Sequence, residues 1–447
     1  MAKRIWRLLT AAVLVAGVLG APAAAHGAAR GPVLDPSFGN GGWVSNDHGG
    51  GDSVLDLAVQ PDGKILALGN GNEGYFCLER HRPDGSYDDE FGTFGVVITD
   101  ADPDSFWDDP HSMVLLPDGR ILVAGSVSRA GRSAPVLVRY LADGSVDTSY
   151  GIDGRVFPTL SESESESESE SESGSESDTV TGARTNGLIR QPDGKVVIAL
   201  EAATSDGSAP PVLVRLRPDG TPDTGFGVGG VARADVGPHE FDGVRGLALA
   251  PDGGLVVSAW SGYYGSLPEP TSDVVLARFS ARGTLDTSFG TRGRVVRDFT
   301  GPGGIDGPAG LAVGRDGRIV QTVWYQVGES GPRQQGLLRY LPNGRPDRSF
   351  GRNGFAAGVP GPVASPVIRP NGRITTTGSI SNNIALAQYR PDGTPDSSFG
   401  SRGVVVTDLG GYDTGNVLKI QPDGRLLVGG TAGSDGGTEF SIVRYLP

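Results

Sequence analysis

Carboxylates recur in this sequence at a fixed distance from a repeated turn. Counting ten residues back from the Asp (or Asn) of each Pro-Asp-Gly turn reaches Asp52, Asp108, Asp242, Asp306 and Asp413, with Ala183 and Gly361 in the other two places. Carboxylates gathered at one opening repel each other unless a cation, a basic ligand or backbone donors compensate. They therefore fit weak calcium binding or a mouth selecting positively charged ligands; the plainer reading is that each caps backbone N–H groups at a strand entry. His48, His111 and His239 lie in the connections leading into the same strands. Facing one another, they could ligate a metal or act as an acid/base pair; otherwise they are ordinary loop histidines. Trp260, Tyr263 and Tyr264, matched by Trp324 and Tyr325 one repeat later, form an aromatic set. Such rings suit a sugar or protein partner, unless they only cover their own loops. HExxH, Cys-His clusters, GxSxG and the P-loop are absent from the sequence, so catalytic residues are not assigned here.

A repeated unit must position these residues. Its first half is a hairpin around QPDGK at 60–64, which recurs as LPDGR, QPDGK, APDGG, GRDGR, RPNGR and QPDGR up to 421–425. Pro presets φ, Asp or Asn accepts from nearby backbone, and Gly takes the positive φ. The flanking runs, such as KILALG and KVVIAL, are short, apolar and β-branched, as buried strands are. A third strand ends in Arg-aromatic or a variant, from Arg80-His81 to Arg444-Tyr445. A second turn block, in full LDxSFGxxG, then leads into a fourth strand. The oxygens of DGSYD at 84–88 superficially resemble a calcium loop, but Arg282 and Asn343 replace the first Asp in later copies, which favours turn capping.

The paired PDGK and LDxSFGxxG blocks resemble the bacterial delta-60 repeat from about Val33 to the last residue. The resemblance implies a β-propeller of unassigned activity and brings no catalytic residues. Four strands per unit at a regular period point to the same architecture. The expected fold is all-β: a seven-bladed propeller of four-stranded blades. The blades fall near 53–100, 109–159, 180–235, 243–299, 307–359, 362–408 and 414–446. The orphan LDPSFGNGG at 34–42 and the strand at 42–47 complement a C-terminus that stops before its own such block. The N-terminal strand is therefore expected to complete the last blade and close the ring, removing open edges. Both recurrent turns share one face of such a ring, and the variable connections share the other, where function concentrates.

Residues 1–25 read as a secretory signal peptide, followed by a short segment at 26–33 and the repeats at 34–447. Residues 161–178 form a Ser-Glu insertion with nothing to bury, expected to be disordered. Cys77 is the lone cysteine and fits a buried strand. A net charge of −14 disfavours nucleic acid and anionic membranes, and no membrane span follows the leader. These features predict a secreted, extracellular monomer without a cofactor, apart from weak calcium binding. Its expected role is a non-catalytic binding module for an extracellular glycan or protein. A lyase- or hydrolase-like enzyme at the central channel mouth is the first alternative, and a structural surface protein the second.

Overall fold

The computed structural model describes residues 32–49, 51–71, 74–129, 131–160, 180–204, 210–234, 241–263, 271–301, 304–327, 331–361, 364–434 and 437–447. The expected signal peptide, the Ser-Glu insertion, His239 and Tyr264 lie outside them.

The described residues form an all-β chain of antiparallel meanders. One unit consists of β2 (Ser53–Val59), β3 (Ile65–Gly71), β4 (Tyr75–His81) and β5 (Val96–Thr99), paired in chain order. The same order recurs in units opening on β6 (Asp108–Leu115), β10 (Val180–Arg190), β14 (Phe241–Leu249), β18 (Ile305–Val313) and β22 (Pro366–Ile368). The C-terminal unit runs β26 (Thr414–Ile420), β27 (Leu426–Ser434) and β28 (Gly437–Tyr445). Its outer place is filled by β1 (Trp43–Asn46), which pairs antiparallel with β28 from Trp43↔Val443 to Asn46↔Phe440. A parallel contact, Ser272↔Ile305, joins the units opening on β14 and β18 into one eight-stranded sheet. No sheet closes on itself among the described residues. The first strand of each unit is an inner edge beside the first strands of its neighbours, and β2 lies next to both β6 and β26.

The hairpin turns form as their residue types require. Lys64 N donates to Asp62 Oδ1 (3.1 Å), and Gly63 supplies a φ of +86°. Apolar faces of successive units then pack together: Leu66, Leu68, Phe76 and Leu78 meet Met113, Val123, Val136 and Val138. The same seam joins the chain ends, where Val54, Leu57 and Cys77 pack on Val417, Leu427, Phe440 and Ile442. Cys77 is fully buried, and burial pushes its thiol pKa well up, which suits a core side chain.

A second device ties the units together. Arg139 Nε donates to Asp147 (2.7 Å), its guanidinium covers the Tyr150 ring at 4.3 Å, and Nη1 reaches the Pro218 carbonyl of the following unit (2.9 Å). Arg339 repeats this with Asp347, Phe350 and Pro391. Arg444 repeats it with Asp35 (2.9 Å), Phe38 (4.5 Å) and the Pro83 carbonyl, so the N-terminal LDPSFG block serves the last unit as its own block would.

Removing one partner of a buried, hydrogen-bonded pair costs about 3–5 kcal/mol. Arg444→Ala should therefore destabilise the fold strongly in urea titrations. Arg278→Ala should do so much less, because Arg278 Nε lies 3.7 Å from Asp286. Equal losses would show that the pairing distance does not govern the stabilisation.

Candidate functional site

Five first strands carry a β-bulge at the equivalent position to that of β2. Pairing skips Leu55 in β2, His111 in β6, Asn186 in β10, Arg245 in β14, Ala309 in β18 and Asn416 in β26. Each stands seven residues before the Asp of its turn. A bulge adds an unpaired residue and re-aims its side chain. Here it turns that residue off the buried sheet face: Val54, Pro110, Thr185, Val244, Pro308 and Gly415 just before it are buried, while the bulged residues reach solvent. These residues stand on the first strands, which neighbour one another from unit to unit.

The polar groups at these positions are unevenly spread. Leu55 and Ala309 are apolar and Asn416 is spent on Ser53 and Val54 of the adjacent strand, whereas His111, Asn186 and Arg245 come from three successive units. Nine residues before the turn Asp, Asp109 and Arg184 add two more solvent-reaching charges. Arg184 also pairs across strands with Glu201 of β11 (Val196–Thr204). Burial lowers the His111 pKa, and nearby Arg245 lowers it further against the opposing pull of Asp56. His111 is therefore a neutral base at physiological pH, and its Nδ1 is buried without a hydrogen-bond partner among the described residues. Burial raises Asp109 against Arg184, and raises Glu201 against Arg245 and Arg184. A neutral imidazole, two carboxyls held toward their protonated forms and two guanidiniums thus lie within electrostatic range of one another. The arrangement suits proton transfer next to a bound anion. Asp56 steadies it from behind: its carboxylate accepts from Met113 N (3.0 Å), two residues past the His111 bulge, and meets Lys419 Nζ (2.9 Å).

The aspartates counted ten residues back sit one step away, inside the loops. Asp52 accepts from His48 N (2.6 Å), Asp108 from Ala101 N (2.6 Å), and Asp306 from Phe299 N (2.6 Å). Asp413 accepts from Leu409 N (2.7 Å) and Gly433 N (3.0 Å). All four are buried, and each caps the connection into its own unit; Asp242 lies at the matching backbone position on β14. Asp306 lies close to Asp273 and Asp298, the acidic trio with metal-like spacing among the described residues. Of the predicted histidines, His111 holds a bulged first-strand position. His48 instead donates to Glu79 (2.5 Å), a fully buried carboxylate that also receives His81 (2.7 Å), Tyr87 (2.9 Å) and Asn46 (3.1 Å). Glu79 is lowered to about 2: these hydrogen bonds and the His81 and His48 charges outweigh its burial. The cluster fastens the end of β1 to β4.

The aromatic residues fall on second strands. Trp260 and Tyr263 belong to β15 (Leu255–Tyr263), and Trp324 and Tyr325 to β19 (Ile319–Gln326). Trp260 lies over Gly243 and Trp324 over Gly307, each a glycine of its own unit that leaves no room for a Cβ. Arg333 covers the Trp324 ring at 4.1 Å, and Tyr325 stacks on Phe299 at 5.1 Å. Each tryptophan is thus seated within its own unit. Asp109, Arg184, Glu201 and Arg245 escaped the sequence reading. Counting seven and nine back from the turn, instead of ten, would have found all but Glu201.

Burial, with Asp298 and Asp273 nearby, lifts Asp306 to about 6 against its backbone and Thr300 hydrogen bonds. The folded state then holds this proton more tightly than the unfolded chain, so stability should fall as pH rises from the ordinary carboxyl value through about 6. Asp306→Asn should flatten that decline in melting temperature. An unchanged pH slope would refute the assignment.

Six segments match the model of a beta-propeller family described as a domain of unknown function (DUF5122): residues 116–150, 191–226, 250–289, 314–350, 369–399 and 421–447. The chain therefore carries β-propeller repeats. No curated protein matches the sequence. Among solved structures, a polysaccharide lyase described as a PL25 ulvan lyase aligns over 90% of this chain and 96% of its own, at 12% identity and a TM-score of 0.50. A second polysaccharide lyase aligns over 88% and 90%, at 8% identity and a TM-score of 0.50. An alpha-L-arabinanase of Penicillium chrysogenum complexed with arabinobiose aligns over 90% and 98%, at 11% identity and a TM-score of 0.44. Likeness at such identities concerns the fold. These neighbours are carbohydrate-cleaving enzymes. The two polysaccharide lyases, at a TM-score of 0.50, stand against the expectation of a non-catalytic binding module.

Proposed function

We propose that this protein is a carbohydrate-active enzyme working at the axial mouth, with an acidic polysaccharide as substrate and a lyase-type reaction. The carrying observation is the convergence of His111, Asp109, Arg184, Glu201 and Arg245 from three neighbouring units. The polysaccharide lyases of similar fold support the substrate class by analogy. In this reading Arg184 and Arg245 bind the sugar carboxylate and stabilise the charge that develops when the adjacent C–H is deprotonated. Neutral His111 removes that proton. Asp109 or Glu201, held toward the protonated form, gives a proton to the departing glycosidic oxygen. The C–O bond breaks as the ring C=C forms, so no water is consumed.

The same reading takes the four-stranded units as seven blades of one ring of delta-60 type, with β1 completing the last. Support comes from the β1–β28 pairing, the Arg444–Asp35 contact and the adjacency of β2 to β26. Secretion after removal of residues 1–25 belongs to the proposal and is checked by N-terminal sequencing of the exported protein.

Purified protein should depolymerise uronate-containing polysaccharides with the ultraviolet absorbance of an unsaturated uronyl end. His111→Ala should lower kcat by about 10²–10⁴-fold, the range for a lost acid or base. Arg245→Ala should raise KM and also lower kcat, since both binding of the carboxylate and stabilisation of the developing charge are lost. Because His111 is pushed down, the acidic limb of kcat/KM should fall below the ordinary histidine range. Full activity in His111→Ala, or no cleavage of uronate polymers, would sink the proposal. Cleavage of neutral arabinan without the unsaturated product would replace it with hydrolysis.

A further inference from the structure

In six units the residue two places after the turn Asp or Asn is basic, and it pairs with the Asp of that unit's second turn. The pairs are Lys64–Asp88 (2.9 Å), Arg120–Asp147 (3.1 Å), Lys195–Asp223 (3.1 Å), Arg318–Asp347 (3.0 Å), Arg373–Asp396 (2.7 Å) and Arg425–Asp35 (2.9 Å). The unit opening on β14 departs: Gly254 stands in that place. Asp286 is left 27% exposed at its side chain, against 2–9% for the others. Arg278 swings away from Asp286 to Asp252, across the space a side chain would fill, since a Cβ on Gly254 would lie 2.9 Å from its Nη2.

The next unit departs at the adjoining position. Every other turn has Pro before its Asp or Asn; this one has Arg315. The two departures meet. Between these turns lies a cavity of about 240 Å³, floored by Ala250, Val256, Ile319 and Pro342 and rimmed by Arg278 and Arg315. Its two rim carboxylates are already engaged, Asp252 by Arg278 and Asp316 by Arg318 (2.6 Å). Arg315 is exposed and takes no hydrogen bond or ion pair among the described residues. The pocket thus combines an apolar floor with an unspent guanidinium at its edge.

We propose that this pocket binds a small carboxylate with an apolar body the size of one ring. Arg315 would take the carboxylate through paired N–H groups, and the aliphatic floor would take the body. The pocket lies on the face of the recurrent turns, opposite the loops that lead into the first strands. It is therefore a second site, independent of the axial chemistry.

The probe is 3-phenylpropionate, followed by calorimetry and ligand-observed NMR on the full mature protein, with 3-phenylpropanamide as its neutral counterpart. Saturable millimolar or tighter binding is expected for the acid, and at least about tenfold weaker binding for the amide. Arg315→Pro restores the repeat residue and should weaken the acid by a similar factor. Gly254→Lys should rebuild the missing pair with Asp286, raise the melting temperature and abolish binding. Both substitutions move toward the chain's own repeat, so folding is retained, and a thermal melt verifies it. No saturable binding of the acid, equal binding of acid and amide, or wild-type affinity in both folded variants would each overturn the proposal.

Discussion

The structure depends on what a single arginine does at the end of each third strand. One planar guanidinium donates to an aspartate in its own unit, lies flat on an aromatic ring, and donates to a carbonyl in the next unit. Lysine has no flat face and no fixed fork, so it could not perform all three tasks. The aspartate is buried, and a buried carboxylate is tolerable only when its oxygens are taken up. Asp147 meets that condition with Arg139, Arg120 and the Ser149 hydroxyl, which hold it at about 2, beyond the opposing effect of burial. Since the third task always reaches into the following unit, each unit fixes the rotation of its neighbour. Where Gln388 replaces the arginine, its amide turns to Thr375 Oγ1 (3.1 Å), and Asp396 is held by Arg373 (2.7 Å) and the Ser398 hydroxyl (2.7 Å). The cost is local because the apolar seam carries on past it.

With the outer strands held this way, the inner edge is free to be irregular. A bulge weakens a ladder, so repeating one in six first strands needs outside support. Polar links between neighbouring units provide it. Asn416 Nδ2 donates to Ser53 Oγ (2.7 Å) and the Val54 carbonyl (3.1 Å), and Thr185 Oγ1 donates to the Gly125 carbonyl (2.7 Å). Asp56 ties its own strand to Met113 and Lys419. Side chains on such a frame are placed by backbone, which is the condition for preorganised electrostatics.

The sequence carried much of this and hid the rest for definable reasons. The turns were legible because Pro, Asp and Gly each have one local job. The arginine before each LDxSFG block was visible as a pattern and not as a device, since its third contact lies some 50 to 80 residues away in Pro218 or Pro391. Counting ten back from the turn found real, buried aspartates with a capping role. The axial residues escaped because a bulge interrupts the two-residue alternation by which a strand's faces are read. His111 was noticed for its chemistry alone, whereas no recurring pattern marked Arg184 or Arg245. Trp260 and Trp324 were read as one aromatic set. They occupy equivalent strand positions, but each tryptophan lies over a glycine of its own unit.

A repeat protein contains its own control, and that gives departures a physical meaning. Positions doing the same work in every unit hold nearly the same residue: the turn Gly, the stapling Arg, the Asp of the second turn. The bulged position does not, running Leu55, His111, Asn186, Arg245, Ala309, Ala364 and Asn416 through the chain. Its backbone geometry is shared by six of these, so the scaffold does not dictate the side chain there. Nor does burial, since all six reach solvent. Chance variation at a solvent-reaching site would scatter charge around the opening. Instead His111, Arg245, Asp109, Arg184 and Glu201 concentrate on three adjoining units, while the unit next in order offers Ala309 and Gly307. Grouped charges repel or desolvate one another at some cost to stability, as the displaced His111, Asp109 and Glu201 titrations indicate. That cost, borne on three units when six offer the same backbone, is what the ligand site proposed there would account for.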